Sequence, residues 1–251
     1  MPKFFISKED IQGSYIVIRH DVHHIVHVLR KQAGDELTVC DGQSTDYDCR
    51  ILQIDAGEES IICQITDRRR SASEPEVAVT LYQSLPKGDK MEYVIQKSVE
   101  LGISRIVPYY SERSLIHLDA KKAAQKVTRW NAISESAAKQ SGRGLIPEVA
   151  SVHTFKQAAE EASQYDLAIL FYEKAQDVML KNVLEKAAEK LGRKPESVGI
   201  WIGPEGGFAP EEAQMLLKSG CVASGLGSRI LRCETAGTIA CALILYHFDE
   251  T

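Results

Sequence analysis

Between residues 67 and 75 the pattern of this 251-residue chain changes, and that change limits its fold more than any other feature. Before it, short apolar runs alternate with turn signals. The runs are Tyr15-Ile16-Val17-Ile18, Glu36-Leu37-Thr38-Val39-Cys40, Tyr47-Asp48-Cys49-Arg50-Ile51-Leu52 and Ser60-Ile61-Ile62-Cys63-Gln64-Ile65, separated by Gly34-Asp35, Asp41-Gly42 and Ala56-Gly57. Strands at this spacing predict a small β-barrel, interrupted by one helix over 22–31. After the change, strands at 77–84, 105–109, 167–172 and 198–202 alternate with helices at 90–101, 118–139 and 177–191. Such alternation predicts a parallel sheet covered on both faces, an α/β domain. The tract Asp67-Arg68-Arg69-Arg70-Ser71-Ala72-Ser73-Glu74-Pro75 is charged, rich in small residues and closed by a proline, so it reads as a linker. The expected domains are 1–72 and 73–251.

Two tracts in the second region carry the functional signal. They are Ile202-Gly203-Pro204-Glu205-Gly206-Gly207 and Gly225-Leu226-Gly227-Ser228-Arg229-Ile230-Leu231-Arg232-Cys233-Glu234-Thr235-Ala236. Each follows an apolar run (198–202, 221–224) and leads into a helical pattern (210–217, 235–246). A strand, a glycine-rich turn and a helix place free backbone groups beside a helix N-terminus, and α/β proteins bind small ligands there. A third turn of this kind is Leu85-Pro86-Lys87-Gly88-Asp89-Lys90. No GxxxxGK[ST] loop is present and no GxGxxG opens the first βα unit, which argues against nucleotide hydrolysis and a conventional dinucleotide fold. Glu205 suits a neutral or cationic ligand better than a phosphate. Arg229 and Arg232 could hold an anion or a developing negative charge, and Glu234 could orient or deprotonate a substrate. The same three residues also fit a plain helix N-terminus with a favourable acid and two surface arginines.

Charge is uneven. The net value is −5, but 84–145 holds eleven Lys/Arg against six Asp/Glu, and the cations near the start of the 118–139 helix permit phosphate contact. His20, His23, His24 and His27 would share a helix face, but no carboxylate or cysteine completes a ligand set, so no metal is expected. An RNA-facing surface with Arg19, Arg30 and Lys31 is the next reading. The six cysteines form no CxxC pair and read as reduced packing residues, Cys233 included. No signal-like segment or membrane-length apolar run is present, so a cytoplasmic protein without membrane contact is expected.

Together with Gln140-Ser141-Gly142-Arg143 and His23-His24-Ile25-Val26-His27-Val28-Leu29-Arg30, these tracts resemble the ribosomal RNA small subunit methyltransferase E family, nearly end to end and in order. The resemblance implies a PUA-like β-barrel and a SPOUT-class α/β domain with a C-terminal trefoil knot, assembled as a homodimer. It also implies methylation of N3 of one uridine in the 16S rRNA of the small ribosomal subunit, with S-adenosylmethionine as donor. Carried onto this chain, the cofactor site comprises Leu85, Pro86, Gly203, Glu205, Gly206, Leu226, Arg229, Ile230, Leu231 and Arg232. Arg232 and Glu234 are the catalytic candidates. Contacts to substrate RNA are expected from His24, Arg30, Lys87, Lys90, Gln140 and Arg143. The rival readings are a SPOUT methyltransferase with another RNA target and a non-catalytic RNA-binding assembly factor.

Overall fold

Strand pairing shows where the chain divides. The computed structural model describes residues 3–55, 57 and 59–249, so Ala56 of the expected turn and the outermost residues of both expected domains lie outside the described residues. Two compact units result. One is Met1–Glu74 with Ala138–Ile146, and the other is Pro75–Ala137 with Pro147–Thr251.

The first unit is built on β1 (Phe4–Phe5), β2 (Ile11–Gln12), β3 (Tyr15–Ile18), β4 (Glu36–Cys40), β5 (Thr45–Ile54) and β6 (Ile61–Arg70). They form one mixed sheet of order β1-β4-β5-β6-β3-β2, in which β1 runs parallel to β4 and every other pair is antiparallel. Alternation along the strands turns Ile16, Ile18, Leu37, Val39, Cys49, Ile51, Ile61 and Cys63 inward, where they pack with Phe4 and Ile25.

Two expectations change here. The tract after residue 67 is not a linker from its start, because β6 continues to Arg70, paired with Thr45 of β5. The charged composition hid a strand whose side chains are mostly exposed. Beyond it Ser71 is buried. The expected helix over 22–31 is a five-residue π-helix, His24–Val28. Buried Val22 and Ile25 anchor it, and the chain turns at left-handed Asp21 (φ 60°) and Arg30 (φ 54°). The four histidines therefore share no face: His24 meets the Phe4 ring edge-on at 5.6 Å, whereas His23 and His27 lie against each other at 4.7 Å. Among the described residues no group of three or more His, Cys, Asp or Glu could hold a metal ion.

The second unit follows the βα pattern. Its strands are β7 (Ala78–Ser84), β8 (Arg105–Tyr109), β9 (Glu148–Val149), β10 (Leu167–Phe171), β11 (Ser197–Ile202) and β12 (Val222–Ser224). Its helices are α1 (Lys90–Glu100), α2 (Ala120–Ser141), α3 (Phe155–Glu160), α4 (Leu180–Leu191), α5 (Pro210–Lys218) and α6 (Cys233–His247), with the last turn of α2 counted in the first unit. The sheet is wholly parallel, in the order β12-β10-β11-β7-β8-β9. Helices α1, α4 and α6 pack on one face, α3 and α5 on the other. Covered twice, β10 is buried at all five positions, which is why its sequence, LAILF, does not alternate. On the α3/α5 face Tyr82 stacks on Trp201, ring centroids 4.2 Å apart. β9 and α3 escape the sequence reading because they are two and six residues long. Among the described residues no helix is long and apolar enough to cross a membrane.

Candidate functional site

The connections leaving β7 and β11, which are neighbours in the sheet, diverge. From β7 the chain enters α1 on one face, and from β11 it enters α5 on the other. Open α/β sheets form a ligand crevice at such a divergence, beyond the carboxyl ends of the strands. A cavity of about 540 Å³ lies there, walled by the segments that follow β10, β11 and β12 and by Lys90 at the start of α1.

Each wall is held by identifiable contacts. Beneath the loop after β11, the Tyr109 hydroxyl donates to the Ile202 carbonyl at 2.8 Å. The buried Glu212 carboxylate accepts from the Ser111 hydroxyl (2.9 Å) and from the backbone N–H groups of Glu112 (2.8 Å) and Ala209 (3.0 Å). Arg113 donates to the Gly206 carbonyl at 3.0 Å. The turn after β12 lies against the segment after β10: the Gly225 N–H donates to the Val178 carbonyl at 3.0 Å. Only glycine fits at 225, where a Cβ would sit 2.8 Å from Gln176 Cα and 2.9 Å from the Ala175 carbonyl oxygen. Gly207 adopts φ +67° with the Glu173 carboxylate beside it.

One ammonium joins the two tracts. Lys90 Nζ lies 3.0 Å from Glu234 Oε1 and 3.8 Å from Glu205 Oε1, and the Lys87 N–H donates to Glu205 at 3.0 Å. The hydrogen bond to Glu234, with the charge of both acids, raises the Lys90 pKa. Burial pushes the Glu234 carboxyl upward, but its own backbone N–H, Lys90 and the Cys233 thiol outweigh burial and hold it below the usual carboxylate range. Burial and the neighbouring Glu234 push the Cys233 thiol up to about 12, so it is protonated at neutral pH.

Of the expected cofactor residues, Gly203, Glu205, Gly206, Leu226, Arg229, Ile230, Leu231 and Arg232 line the cavity. Leu85 and Pro86 do not. Both are buried at the end of β7, with the Leu85 N–H bonded to the Tyr109 carbonyl, so the tract reaches the site through Lys87 and Lys90. Glu234, at the first turn of α6, meets the cavity wall through Lys90 and Cys233. The residues expected to touch RNA fall into both units. Lys87 is exposed, and Lys90 is engaged by the two acids. Arg30 and Gln140 are exposed, and His24 is half-buried. Arg143 departs from expectation. Its side chain is buried and paired with Glu74, Nη2 to Oε2 2.6 Å, an internal tie of the first unit rather than a surface contact.

The sequence reading missed Tyr172, Glu173 and Gln176, which line the cavity, and Glu212 and Arg113, which brace it. The segment after β10 contains no glycine to flag it. Glu212 did leave a signal, as an acid in the first turn after Pro210.

A family model for an RNA methyltransferase domain matches residues 73–245, and one for an RNA methyltransferase PUA domain matches 18–66. Ribosomal RNA small subunit methyltransferase E of Bacillus subtilis is 33% identical over 99% of this chain and 98% of its own length. The chain belongs to the ribosomal RNA small subunit methyltransferase E family. Another member, from Synechocystis, is 32% identical over 93% of this chain and 73% of its own length. The crystal structure of the small subunit methyltransferase E from Neisseria gonorrhoeae, bound to S-adenosylmethionine, superposes with a TM-score of 0.78 at 28% identity, covering 98% of this chain and 97% of that one.

Proposed function

We propose that this chain methylates N3 of a single uridine in 16S rRNA, with S-adenosylmethionine as the methyl donor and the assembled small ribosomal subunit as substrate. The observation that carries the reading is the glycine-walled cavity beyond β10, β11 and β12 with carboxylates on its border. Its size is that of a small-molecule site, and its chemistry fits the donor. Glu173 and Glu205 line it and suit the positive sulfonium and α-amino groups, while Arg229 suits the carboxylate. Gly203 and Gly225 let the cavity walls close on themselves, since a Cβ there would meet Phe208 and the 175–176 backbone.

When bound, S-adenosylmethionine supplies an electrophilic methyl group. Transfer forms an N3–carbon bond as the carbon–sulfur bond breaks and the N3 proton leaves. The walls hold donor and acceptor in line. Arg232, the exposed N-cap of α6, stabilises the negative charge that develops on the uracil carbonyls. Glu234 stays ionised beside Lys90 and orients the N3–H or accepts its proton. Cys233, a neutral thiol, forms no adduct.

The first unit acts as a PUA-like barrel that contacts RNA through Arg30, His24 and Gln140, with Lys87 nearer the reaction. The second carries the SPOUT trefoil knot and pairs as a homodimer in the cytoplasm. Exposed Tyr93 on α1 and Ile239, Leu243 and Tyr246 on α6, two helices in contact, support an apolar pairing face.

The test is transfer of labelled methyl from S-adenosylmethionine to 30S subunits lacking the modification, with free 16S rRNA and tRNA alongside. Label on N3 of one 16S uridine, greatest on subunits, is expected. Label confined to tRNA overturns the target, and no label from protein that binds no S-adenosylmethionine overturns the enzyme.

A further inference from the structure

One short segment grips the glycine loop of the cavity at its start, middle and end. The loop follows β11 over residues 202–209, and at its start the Tyr109 hydroxyl donates to the Ile202 carbonyl at 2.8 Å. At its end the Glu212 carboxylate joins the Ala209 N–H (3.0 Å) to the Ser111 hydroxyl (2.9 Å) and the Glu112 N–H (2.8 Å). Between them Arg113 Nη1 donates to the Gly206 carbonyl at 3.0 Å. All three grips come from residues 109–113, at the end of β8 and just beyond it, within the second unit. That segment is itself fixed. The Ser114 hydroxyl accepts from the Ser111 N–H at 3.2 Å and lies 2.9 Å from the Ser84 hydroxyl at the end of β7, and all three serines are buried.

Arg113 differs from the other grips in being exposed, whereas Tyr109, Ser111 and Glu212 are buried parts of the domain's packing. Its stem lies over Gly206: a Cβ placed at that glycine would sit 3.4 Å from Arg113 Cβ and 3.6 Å from its Cδ. Arg113 itself does not line the cavity. Its hydrogen bond falls on a tight turn, Pro204 to Gly207, closed by the Gly207 N–H on the Pro204 carbonyl at 2.9 Å. Two of the four residues are glycines, one at φ +67°, so the turn has little steric restraint of its own. Glu205 sits on this turn and lines the cavity. Fixing the peptide between Gly206 and Gly207 therefore fixes where the Glu205 carboxylate stands.

We propose that Arg113 is a positioning residue for the donor site: from behind the cavity wall it holds the Pro204–Gly207 turn in the shape that sets Glu205 against S-adenosylmethionine. The proposal rests on the methylation reading, which supplies the donor. An arginine merely resting on the surface would leave donor affinity untouched, and one that contacts RNA would alter RNA binding instead.

Two variants of the full chain separate the stem from the charge. Arg113→Met keeps an apolar stem over Gly206 and removes the donor, and Arg113→Lys restores a donor. Without S-adenosylmethionine, hydrogen–deuterium exchange over residues 203–209, read by mass spectrometry, should speed up about tenfold in Arg113→Met. Its thermal stability should stay near wild type, because the side chain is exposed. The S-adenosylmethionine dissociation constant from calorimetry should rise about tenfold, as loss of one charge-assisted hydrogen bond does, and Arg113→Lys should return it to within about threefold of wild type. Leu115→Ala, two residues on and exposed, should change neither reading. Unchanged exchange and affinity in Arg113→Met, or a raised RNA KM with donor affinity intact, overturns the role. So does an equal loss in Leu115→Ala, or a fall in thermal stability that Arg113→Lys does not repair, since either would mean general loosening. Wild-type protein that binds no S-adenosylmethionine overturns the donor reading and this role together. Wild-type protein that binds it but methylates no 16S rRNA sinks the substrate reading alone, and a tenfold loss of affinity in Arg113→Met would still sustain the role.

Discussion

At the border of the cavity a single ammonium, Lys90, bridges Glu205 and Glu234. Removing it takes away much of what keeps Glu234 ionised. With Lys90→Gln the Glu234 pKa should rise, so the acidic limb of the rate–pH profile should move to higher pH. A limb that stays in place would show that it does not report Glu234. Arg232→Ala should lower turnover by about two to three orders of magnitude, as loss of one transition-state donor does, with a smaller change in S-adenosylmethionine affinity. An unchanged rate ends its assigned role. Cys233→Ala should leave turnover near wild type, since the thiol is neutral and packed. The residue types at this site were legible because glycine, arginine and glutamate cluster in two short tracts. The bridge was not, since Lys90 and Glu234 lie far apart in the chain.

Among the elements, the turns matter more than the helices they join. The turn after β12 meets the 175–178 segment with no room for a side chain at Gly225. Gly225→Ala should therefore cost about 1–3 kcal/mol, as overpacking does, and lower S-adenosylmethionine affinity with it. A variant with wild-type thermal stability and affinity would show that the turn can relax. The major strands and helices of the second unit were readable from their periodicity. The capping residues Thr154 and Gln157 marked α3 as well, with Thr154 Oγ1 accepting from the Gln157 N–H at 3.3 Å, but six residues are too few for a periodic signal. In the first unit the arginines of β6 look like linker composition until β5 is placed beside them.

At the scale of the whole chain, polar clusters away from the cavity also join segments distant in sequence. Arg143 and Glu74, both buried, tie 138–146 to the rest of the first unit. Arg143→Gln leaves a buried carboxylate without its partner and should destabilise that unit by about 3–5 kcal/mol in chemical denaturation; a loss under about 1 kcal/mol would mean that water reaches Glu74. In the second unit Glu161 gathers Tyr82, His153 and Arg105. Burial raises its pKa, but these three partners outweigh burial and depress it below the ordinary 4.5. A carboxyl depressed in the folded state stabilises fully above its unfolded pKa, and that stability is lost as pH falls through the folded value. Wild type should thus lose stability as pH drops below about 4.5, and Glu161→Gln should lose less over that window. Equal acid sensitivity of the two proteins would remove Glu161 from the account.

Local chemistry explains what could be read from the residues in order: the change from short strands to alternating strands and helices, and the glycine turns. Backbone propensity and burial act over a few neighbours, so they leave periodic marks. The strand order, the Lys90 bridge, the inward turn of Arg143 and the grip of Arg113 on Gly206 had to wait for the folded chain. Each depends on which distant segments become neighbours, and that is settled by packing of the whole core rather than by any local run.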